Sequence, residues 1–323
     1  MERIAVMTSG GDAPGMNAAI RSVVRAARYH GLEVFGIHHG YQGMLDDEIE
    51  PLDARGVGGI IHQGGTILQT ARCQAFFEPE ARAKAAANLK KRGIEAFVAI
   101  GGDGTYRGAE ALHREHGVRC IGLPGTIDND IGGTEYTIGF DTAMNTAMEA
   151  IDRLRDTAAS HDRIFFVEVM GRHSGFIAMT SGLAGGAEVI LVPEEPTDLP
   201  ELIEHMRECR RKGKRSMIVV VAEGDDAGDA HRIAAQVSQA SEFADTRTTV
   251  IGHLQRGGRP TAFDRVLATR MGLRAVEALL DGETGKMVGI IKEALVLRPL
   301  SDSWEQRAPF DPKLLELMRV MAT

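Results

Sequence analysis

The sequence predicts an α/β fold built around parallel β-strands. Short apolar segments alternate with amphipathic segments along the whole of the 323-residue chain. Most of the apolar segments are uninterrupted, as in residues 218–221 (Ile-Val-Val-Val), which is typical of parallel strands that are buried on both faces. Strands that alternate with helices in this way form a parallel sheet covered by helices.

Eight segments are predicted to be strands. In chain order they are Arg3–Thr8, Glu33–His38, Ala96–Gly101, Val118–Leu123, Ile164–Val169, Ala187–Val192, Ser216–Ala222 and Thr249–Leu254. Between them, Asn17–His30 repeats its apolar residues every three or four positions, and Ala81–Arg92 has the composition of a strong helix former. No linker rich in Pro, Gly or Ser divides the chain, so composition alone does not locate a domain boundary.

Composition and charge argue against several classes of protein. A net charge of -8 and only 5% aromatic residues disfavour a nucleic-acid-binding protein, which needs a basic face or stacking platforms. No apolar run approaches the roughly 20 residues that cross a bilayer, and the N-terminal segment does not resemble a signal peptide. The three cysteines, Cys73, Cys120 and Cys209, are far apart and form no CxxC pair, so we expect a cytoplasmic protein without a zinc site.

The first loop with a chemical signature joins the first strand to the first helix. Residues 8–17 contain Gly10, Gly11 and Gly15 directly before a helix N-terminus, an arrangement that suits a bound phosphate. The loop matches neither the Walker motif nor the dinucleotide fingerprint. The alternative is a tight turn that requires positive φ angles.

A second glycine-rich loop, residues 101–105 (Gly-Gly-Asp-Gly-Thr), follows the Ala96–Gly101 strand and precedes another helix. Two such loops in one sheet can face each other across a crevice at the carboxyl ends of the strands, which predicts a site of nucleotide size. The Asp103 carboxylate suits a Mg²⁺ ion that is also bound by water and phosphate oxygens. Its alternative role is that of a helix N-cap.

The third segment, residues 122–130 (Gly-Leu-Pro-Gly-Thr-Ile-Asp-Asn-Asp), carries two acids beside a hydroxyl and an amide. One of the acids, Asp128 or Asp130, can accept a proton from a sugar hydroxyl while the other orients it or a metal ion, as phosphoryl transfer requires. Asx-turns are the alternative use of these side chains.

Two further segments supply candidate anion ligands at strand ends. Arg172 lies in Met170–Gly175, and His253 with Arg256 lies in Gly252–Gly258. An arginine beside a helix start can supply positive charge where a transferring phosphoryl group develops negative charge. The alternative is that these are surface residues beside ordinary turns.

Taken together, six segments resemble bacterial phosphofructokinases over most of the chain. They are TSGGDAPGMNAAIR, IGGDGT, GLPGTIDND, AIDRLRDTA, VEVMGR and GHLQRGG. The resemblance implies the phosphofructokinase fold, with two similar three-layer parallel-sheet (Rossmann-like) domains. The larger, ATP-binding domain would comprise residues 1–138 plus 251–300, and the smaller, sugar-phosphate-binding domain residues 139–250 plus 301–323. It also implies a homotetramer with active sites at subunit interfaces.

The reaction implied by the resemblance transfers the γ-phosphoryl group of Mg-ATP to the 1-hydroxyl of fructose 6-phosphate, in glycolysis. Asp128 would be the general base, with Thr126 and Asp130 beside it. Arg172 would stabilise the transferring charge, and Asp103 would serve the Mg²⁺ ion.

The resemblance also implies three sets of binding residues. The nucleotide set is Gly11, Arg72, Cys73, Gly102, Asp103, Gly104 and Thr105. The sugar-phosphate set is Thr126, Ile127, Asp128, Met170, Gly171, Arg172, Glu223, His253, Leu254, Gln255 and Arg256, with Arg163 and Arg247 from a neighbouring subunit. The allosteric set is Arg21, Arg25, Arg155, Gly186, Glu188, Lys212, Gly213, Lys214 and Arg215. Ala54 stands where an arginine is common in the family, with Arg55 one place later, so the effector stays open.

The phosphoryl donor is predicted from two glycines. Family members that use pyrophosphate commonly resemble GGDD and PKTIDND, whereas this chain has Gly104 and Gly125 at the two differing positions. A carboxylate at 104 would repel the α-phosphate of ATP, so ATP is favoured. Kinases of NAD or diacylglycerol share GGDG but lack PGTIDND and HLQRGG. A regulatory nucleotide-binding protein, the remaining alternative, would be expected to lack Asp103 or Asp128.

Overall fold

The structure is a computed structural model that describes residues 1–240, 243, 245–306, 308 and 310–321. The chain forms two compact units: unit 1 is Met1–Thr142 with Arg256–Ala308, and unit 2 is Ala143–Gln255 with Pro309–Thr323. Each boundary lies a few residues later in the chain than the resemblance implies.

The secondary-structure elements alternate along the chain. The strands are β1 (Arg3–Thr8), β2 (Glu33–Ile37), β3 (Ile49–Pro51), β4 (Ala96–Gly101), β5 (Arg119–Pro124), β6 (Ile164–Val169), β7 (Val189–Leu191), β8 (Met217–Ala222), β9 (Thr246–Val250), β10 (Lys286–Ile291) and β11 (Ala294–Pro299). The helices are α1 (Met16–Tyr29), α2 (Gly40–Asp46), α3 (Pro79–Lys91), α4 (Asp103–His116), α5 (Phe140–His161), α6 (Phe176–Ala184), α7 (Leu199–Arg211), α8 (Ala230–Ser238), α9 (Ala262–Leu280), α10 (Asp302–Glu305) and α11 (Pro312–Met321). Short 3₁₀ helices cover Gln74–Phe77 and Gly252–Arg256.

Unit 1 contains a seven-stranded sheet in the order β11-β10-β5-β4-β1-β2-β3. Strands β10, β5, β4, β1 and β2 run parallel, and β11 and β3 pair antiparallel at the two edges. Every residue of β4 is buried, and Phe97 packs in one core cluster with Tyr106 of α4. The continuous apolar strands of the sequence are therefore buried on both faces, as parallel strands between helices are.

Unit 2 contains a four-stranded parallel sheet in the order β7-β8-β6-β9. Its core cluster includes Phe166 of β6 and Phe243, both fully buried. The predicted α/β fold with parallel sheets is confirmed in both units.

The strand predicted at Thr249–Leu254 is wrong, because β9 spans Thr246–Val250 and a 3₁₀ helix begins at Gly252. Gly252 has a φ of +53° and turns the chain out of the strand. The predicted strand started too late because β9 is an edge strand and most of its side chains are partly exposed, so they need not be apolar. The sequence analysis also missed β3, β10 and β11.

In the part of the chain that the structure describes, no helix combines the length and the apolar character needed to span a membrane.

Replacing Phe166 by Ala should lower the free energy of unfolding by about 3–5 kcal/mol, because the ring is fully buried among the residues of the unit 2 core. Phe77→Ala is the matched control, since that ring is 76% exposed, and its effect should stay within about 0.5 kcal/mol. Urea unfolding followed by circular dichroism measures both variants. Equal losses would contradict this description of the core.

Candidate functional site

The loop after β1 is a tight turn that needs glycine at two positions. Gly10 and Gly15 have φ angles of +86° and +106°, so they need the conformational freedom of glycine. A Cβ atom at Gly11 would lie 2.6 Å from Nη1 of Arg256, so a side chain there would displace this guanidinium. The same Nη1 donates a hydrogen bond to the Asp12 carbonyl oxygen at 3.1 Å. The positive-φ prediction is confirmed at two glycines, and phosphate binding by the loop stays a prediction.

The loops after β1 and β4 lie side by side. The Ser9 amide donates to the Ile100 carbonyl oxygen at 3.0 Å, and the Thr105 hydroxyl donates to the Ser9 carbonyl oxygen at 3.2 Å. Gly101 has no room for a side chain, since its Cβ would lie 2.5 Å from the Ser9 oxygen. The structure thus brings the two glycine-rich segments together at the carboxyl ends of adjacent strands, where they contact each other directly.

Asp103 is the first residue of α4 and does not cap the helix. The N-cap is Gly102, and no side chain makes a capping hydrogen bond there. The Asp103 carboxylate is 50% exposed and lies 3.7 Å from the Arg107 guanidinium. A Cβ at Gly102 or Gly104 would meet nothing within 4 Å, so the start of α4 is open to a ligand.

The donor groups present fit a Mg²⁺ ion that arrives with a nucleotide better than a resident metal. Among the described residues, no group of three or more His, Cys, Asp or Glu side chains could hold a metal ion. Mg²⁺ commonly keeps several waters and uses one or two carboxylates together with substrate phosphates. Asp103, half-exposed at an open helix N-terminus, is such a carboxylate.

Arg72 and Cys73 directly precede the 3₁₀ helix Gln74–Phe77. Arg72 is exposed, whereas Cys73 is partly buried. Burial raises the pKa of the Cys73 thiol, so this cysteine is not an activated nucleophile. The segment is anchored by Arg82 of α3, whose Nη1 donates to the carbonyl oxygens of Phe76 at 2.9 Å and Phe77 at 2.7 Å.

Arg82 also ties this segment to α4. Its Nε and Nη2 donate to the two carboxylate oxygens of Glu115 at 2.6 and 2.8 Å. Glu115 lies near the end of α4, the helix that begins at Asp103. Arg82, a buried residue that the sequence analysis missed, thereby links the segment after Arg72 and Cys73 to the helix that begins at Asp103.

Asp128 lies in a loop that folds back on itself after β5. Its side chain is buried, at 3% exposure, whereas Asp130 is exposed. The amide between them is structural: Asn129 Oδ1 accepts from the Thr137 amide at 2.8 Å, and the Thr137 hydroxyl donates to the Thr126 carbonyl oxygen at 2.7 Å. The two acids therefore have different environments, and only Asp128 is enclosed by the loop.

Gly125 differs from Gly104 in its surroundings. A Cβ at Gly125 would lie 2.9 Å from Cγ2 of Ile100 and 3.1 Å from Cε of Met16, so close packing excludes a side chain there. Of the two glycines from which ATP is predicted as the donor, only Gly104 has open space where a side chain would lie.

In unit 2, a tight turn after β6 presents Arg172. Gly171 and Arg172 have φ angles of +144° and +54°, and the Ser174 amide donates to the Gly171 carbonyl oxygen at 2.9 Å. Glu223 Oε1 accepts from the Gly171 and Arg172 amides at 3.3 and 2.7 Å. A non-glycine residue with positive φ persists only when its neighbours hold it, and Glu223 does so here. The Arg172 side chain is exposed.

The other sugar-phosphate candidates of unit 2 surround β6 and β9. Gln255 Oε1 accepts from the Met170 amide at 2.9 Å, while His253 and Leu254 are exposed. Arg163 and Arg247 both pair with Asp245, whose carboxylate oxygens lie 3.5 Å from Arg163 Nε and 2.8 Å from Arg247 Nη2. Arg256 belongs to unit 1 and contacts the loop after β1, as described above. Thr126 and Ile127, in turn, are buried in the Asp128 loop.

The allosteric candidates are distributed over both units. Arg21 and Arg25 lie on α1 of unit 1, and the others lie in unit 2. There, Glu188 is buried between Arg155 and Lys214, with N–O distances of 3.6 Å to each. Arg155 also donates to the carbonyl oxygens of Gly185 and Gly186. Glu188 and Lys212 line a cavity of about 320 Å³, whereas Arg215 pairs with Asp162 at 3.7 Å.

Comparison with known proteins assigns the chain to a family. The sequence profile described as Phosphofructokinase matches residues 3–279. A Thermus thermophilus protein named ATP-dependent 6-phosphofructokinase 1 is 58% identical over 322 residues, which cover 100% of both chains. The ATP-dependent 6-phosphofructokinase of Bacillus thuringiensis is 53% identical over 322 residues, again covering 100% of both chains.

Solved structures give the same result. Phosphofructokinase from Saccharomyces cerevisiae is similar with a TM-score of 0.88 and 38% identity over 94% of this chain. This chain spans only 45% of that yeast chain. A pyrophosphate-dependent phosphofructokinase from Marinobacter aquaeolei has a TM-score of 0.85 and 26% identity, over 97% of this chain and 86% of its own. Phosphofructokinases that are named for different phosphoryl donors, ATP and pyrophosphate, are thus both similar to this chain.

The two glycines at the β4–α4 junction should respond oppositely to alanine. Gly104→Ala should keep or raise the free energy of unfolding, by up to about 1 kcal/mol, because Cβ meets open space and alanine favours helix. Gly101→Ala should lower it by about 1–3 kcal/mol, because Cβ would overlap the Ser9 oxygen. Thermal unfolding of both variants measures the difference, and a destabilised Gly104→Ala protein would show that the site is not open.

Proposed function

The chain belongs to the phosphofructokinase family, and we propose that it transfers the γ-phosphoryl group of ATP to the 1-hydroxyl of fructose 6-phosphate. The products are fructose 1,6-bisphosphate and ADP. The main support for the proposal is that the open, glycine-rich start of α4 and the enclosed Asp128 follow adjacent strands. Gly101 and Pro124 pair at the ends of β4 and β5, the strands that lead to Asp103 and Asp128.

ATP binds at the ends of β1 and β4 in this proposal. The dipole of α4 and the exposed space beside Gly102 and Gly104 favour phosphate groups. Asp103 would hold the Mg²⁺ ion that accompanies ATP, and this ion supplies positive charge that offsets the charge of the phosphates. Arg72 and Cys73 lie on the segment that Arg82 anchors to the same helix.

Asp128 acts as the general base. Its carboxylate accepts the proton of the sugar 1-hydroxyl, the sugar oxygen forms a bond to the γ-phosphorus, and the bond from that phosphorus to the oxygen bridging to the β-phosphate breaks. Arg172 stabilises the negative charge on the transferring group. Thr126 and Asp130 are the polar neighbours in the same loop, with the Thr126 hydroxyl accepting from the Asp128 amide at 3.2 Å.

The sugar phosphate is held by the unit 2 candidates, together with Arg256. Arg163 is partly exposed and Arg247 is exposed, and both pair with Asp245. In this proposal they bind the substrate of a neighbouring subunit. We propose a homotetramer with shared active sites, because the resemblance includes Arg163 and Arg247, the residues that a neighbouring subunit would contribute. We also propose that the protein acts in glycolysis in the cytoplasm.

Replacing Asp128 by Asn should lower kcat by about 10²–10⁴-fold with little change in substrate KM, since the amide cannot accept the hydroxyl proton. The coupled assay of fructose 1,6-bisphosphate formation measures this change. Asp47→Asn is the control, because Asp47 pairs with Arg92 at the end of α2. A fully active Asp128→Asn enzyme would remove the base assignment.

Gly104→Asp should reduce kcat/KM for ATP by at least about tenfold, because the added carboxylate occupies the open space and repels the nucleotide phosphates. Assays with ATP and with pyrophosphate, each with fructose 6-phosphate and Mg²⁺, measure donor use in the wild type and the variant. Gly104→Asn is the isosteric neutral control, which separates charge repulsion from bulk. Wild-type turnover with pyrophosphate but not ATP would refute the proposed donor.

A further inference from the structure

A buried carboxylate outside the proposed site joins two helix N-termini in unit 1. Asp264 lies in the first turn of α9, and its side chain is fully buried. One oxygen, Oδ1, accepts from the Gly139 amide at 2.9 Å. The other, Oδ2, accepts from the amide of Thr142 at 2.9 Å and from its hydroxyl at 2.5 Å. Asp264 thus satisfies backbone donors at the start of α5, where a helix has no partners of its own.

The start of α5 holds α9 in return. The Thr142 hydroxyl accepts from the Thr261 amide at 3.0 Å, and the Thr261 hydroxyl donates to Asp141 Oδ2 at 2.6 Å. Thr261 is also the N-cap of α9, because its hydroxyl accepts from the Asp264 amide at 3.2 Å. Asp264 of α9 therefore caps the start of α5, and residues 141–142 of α5 in turn hold Thr261, the N-cap of α9.

The residues just before α5 lead directly to the Asp128 loop. Ile138 donates its amide to the Pro124 carbonyl oxygen at 2.7 Å and forms a parallel bridge with Gly125. Thr137 holds Thr126 and Asn129 through the hydrogen bonds described above. The segment fixed by Asp264 is therefore the segment that encloses Asp128.

The same segment contacts the glycine-rich loop after β1. A Cβ at Gly139 would lie 2.7 Å from the Ala13 Cβ, and a Cβ at Gly15 would lie 2.8 Å from Cγ2 of Ile138. At both places the backbone of a glycine packs closely against a neighbouring side chain, so we expect a shift of residues 138–139 to move the loop after β1 as well.

We propose that Asp264 is a positioning residue for the general base, acting through residues 137–142 on the loop that holds Asp128. The inference rests on the proposed function and adds to it a residue far along the sequence from the PGTIDND motif. Asp264 touches neither substrate nor reacting atoms in this proposal. Its effect is to keep the Asp128 loop in one conformation, and so to act on kcat rather than on substrate binding.

The hydrogen bonds to Asp264 require its ionised carboxylate, although the group is buried. Burial, with a smaller contribution from the neighbouring Asp141 carboxylate, raises the pKa of Asp264 to about 6, and the hydrogen bonds from Thr142 and Gly139 act in the opposite direction. At neutral pH the group is therefore mostly ionised and able to accept all three hydrogen bonds. An apolar residue at this position would leave the donors of Gly139 and Thr142 unsatisfied.

Asp264→Asn tests the inference, because an amide presents only one acceptor to donors on both sides. We expect kcat to fall by about 10–100-fold, with KM for ATP and fructose 6-phosphate within about threefold of the wild-type values. Thr142→Val, which removes one hydroxyl from the network and keeps the side-chain shape, should lower kcat by about three- to tenfold in the same direction. If Asp264→Asn does not fold, the kcat of Thr142→Val tests the positioning role of Asp264 instead.

Ser22→Ala is the control for a loss of stability alone. The buried Ser22 hydroxyl donates to the Thr269 carbonyl oxygen on α9 at 2.6 Å, which is the same helix but outside the Asp264 network. This variant should unfold at lower temperature than the wild type and keep the wild-type kcat. All variants are assayed as the full chain, below the temperature at which each begins to unfold.

The outcomes separate this inference from the proposed function. Folded Asp264→Asn and Thr142→Val proteins with wild-type kcat, or with raised KM and unchanged kcat, would overturn the positioning role and leave the reaction untouched. Failure of the reaction itself would instead appear as a wild-type protein without turnover, or as an Asp128→Asn variant with full activity.

Discussion

Parallel pairing of β1, β4 and β5 is the constraint on which the unit 1 site depends. Their carboxyl ends meet at one edge of the sheet, with Thr8 opposite Ile100 and Gly101 opposite Pro124 in register. Every chemically distinctive loop of unit 1 that follows these three strands leaves from that edge. Because the strands are buried and pair in parallel, their register brings these loops to the same place.

The loops themselves are kept in strained conformations by donors and acceptors from elsewhere in the same unit. In unit 1, Asn129 has a positive φ and is held by Thr137, and in unit 2 Arg172 has a positive φ and is held by Glu223. Such conformations cost about 1–3 kcal/mol each, so they need specific partners. In both units, a polar side chain at the predicted site holds the backbone. In unit 1 it is Asn129, which lies between the two predicted acids, and in unit 2 it is Glu223, a predicted sugar-phosphate ligand.

Sequence patterns predicted much of the fold and the positions of the site loops, for reasons that the structure makes plain. Continuous apolar strands such as β4 and β8 are buried throughout, so their pattern is strong. The edge strand β9 has a weak pattern, because most of its side chains are partly exposed, and its start was misplaced. The sequence analysis missed Arg82, Asp245 and Asp264 because their partners could not be recognised in the sequence. Arg82 donates to the backbone oxygens of Phe76 and Phe77, which every residue has. Asp245 and Asp264 have partners far along the chain, Arg163 and Gly139 respectively.

By itself, the sequence determined the α/β class, the glycine-rich loops and the acids placed after β4 and β5, because these depend on local periodicity and on residue types at short spacing. Only the tertiary structure decided which glycine leaves space and which is packed: Gly104 is open, whereas Gly125 lies against Ile100 and Met16. It also decided that Asp128 is enclosed and Asp130 exposed, although the two are separated by one residue. Burial and free volume are set by neighbours from other elements, which no local pattern contains.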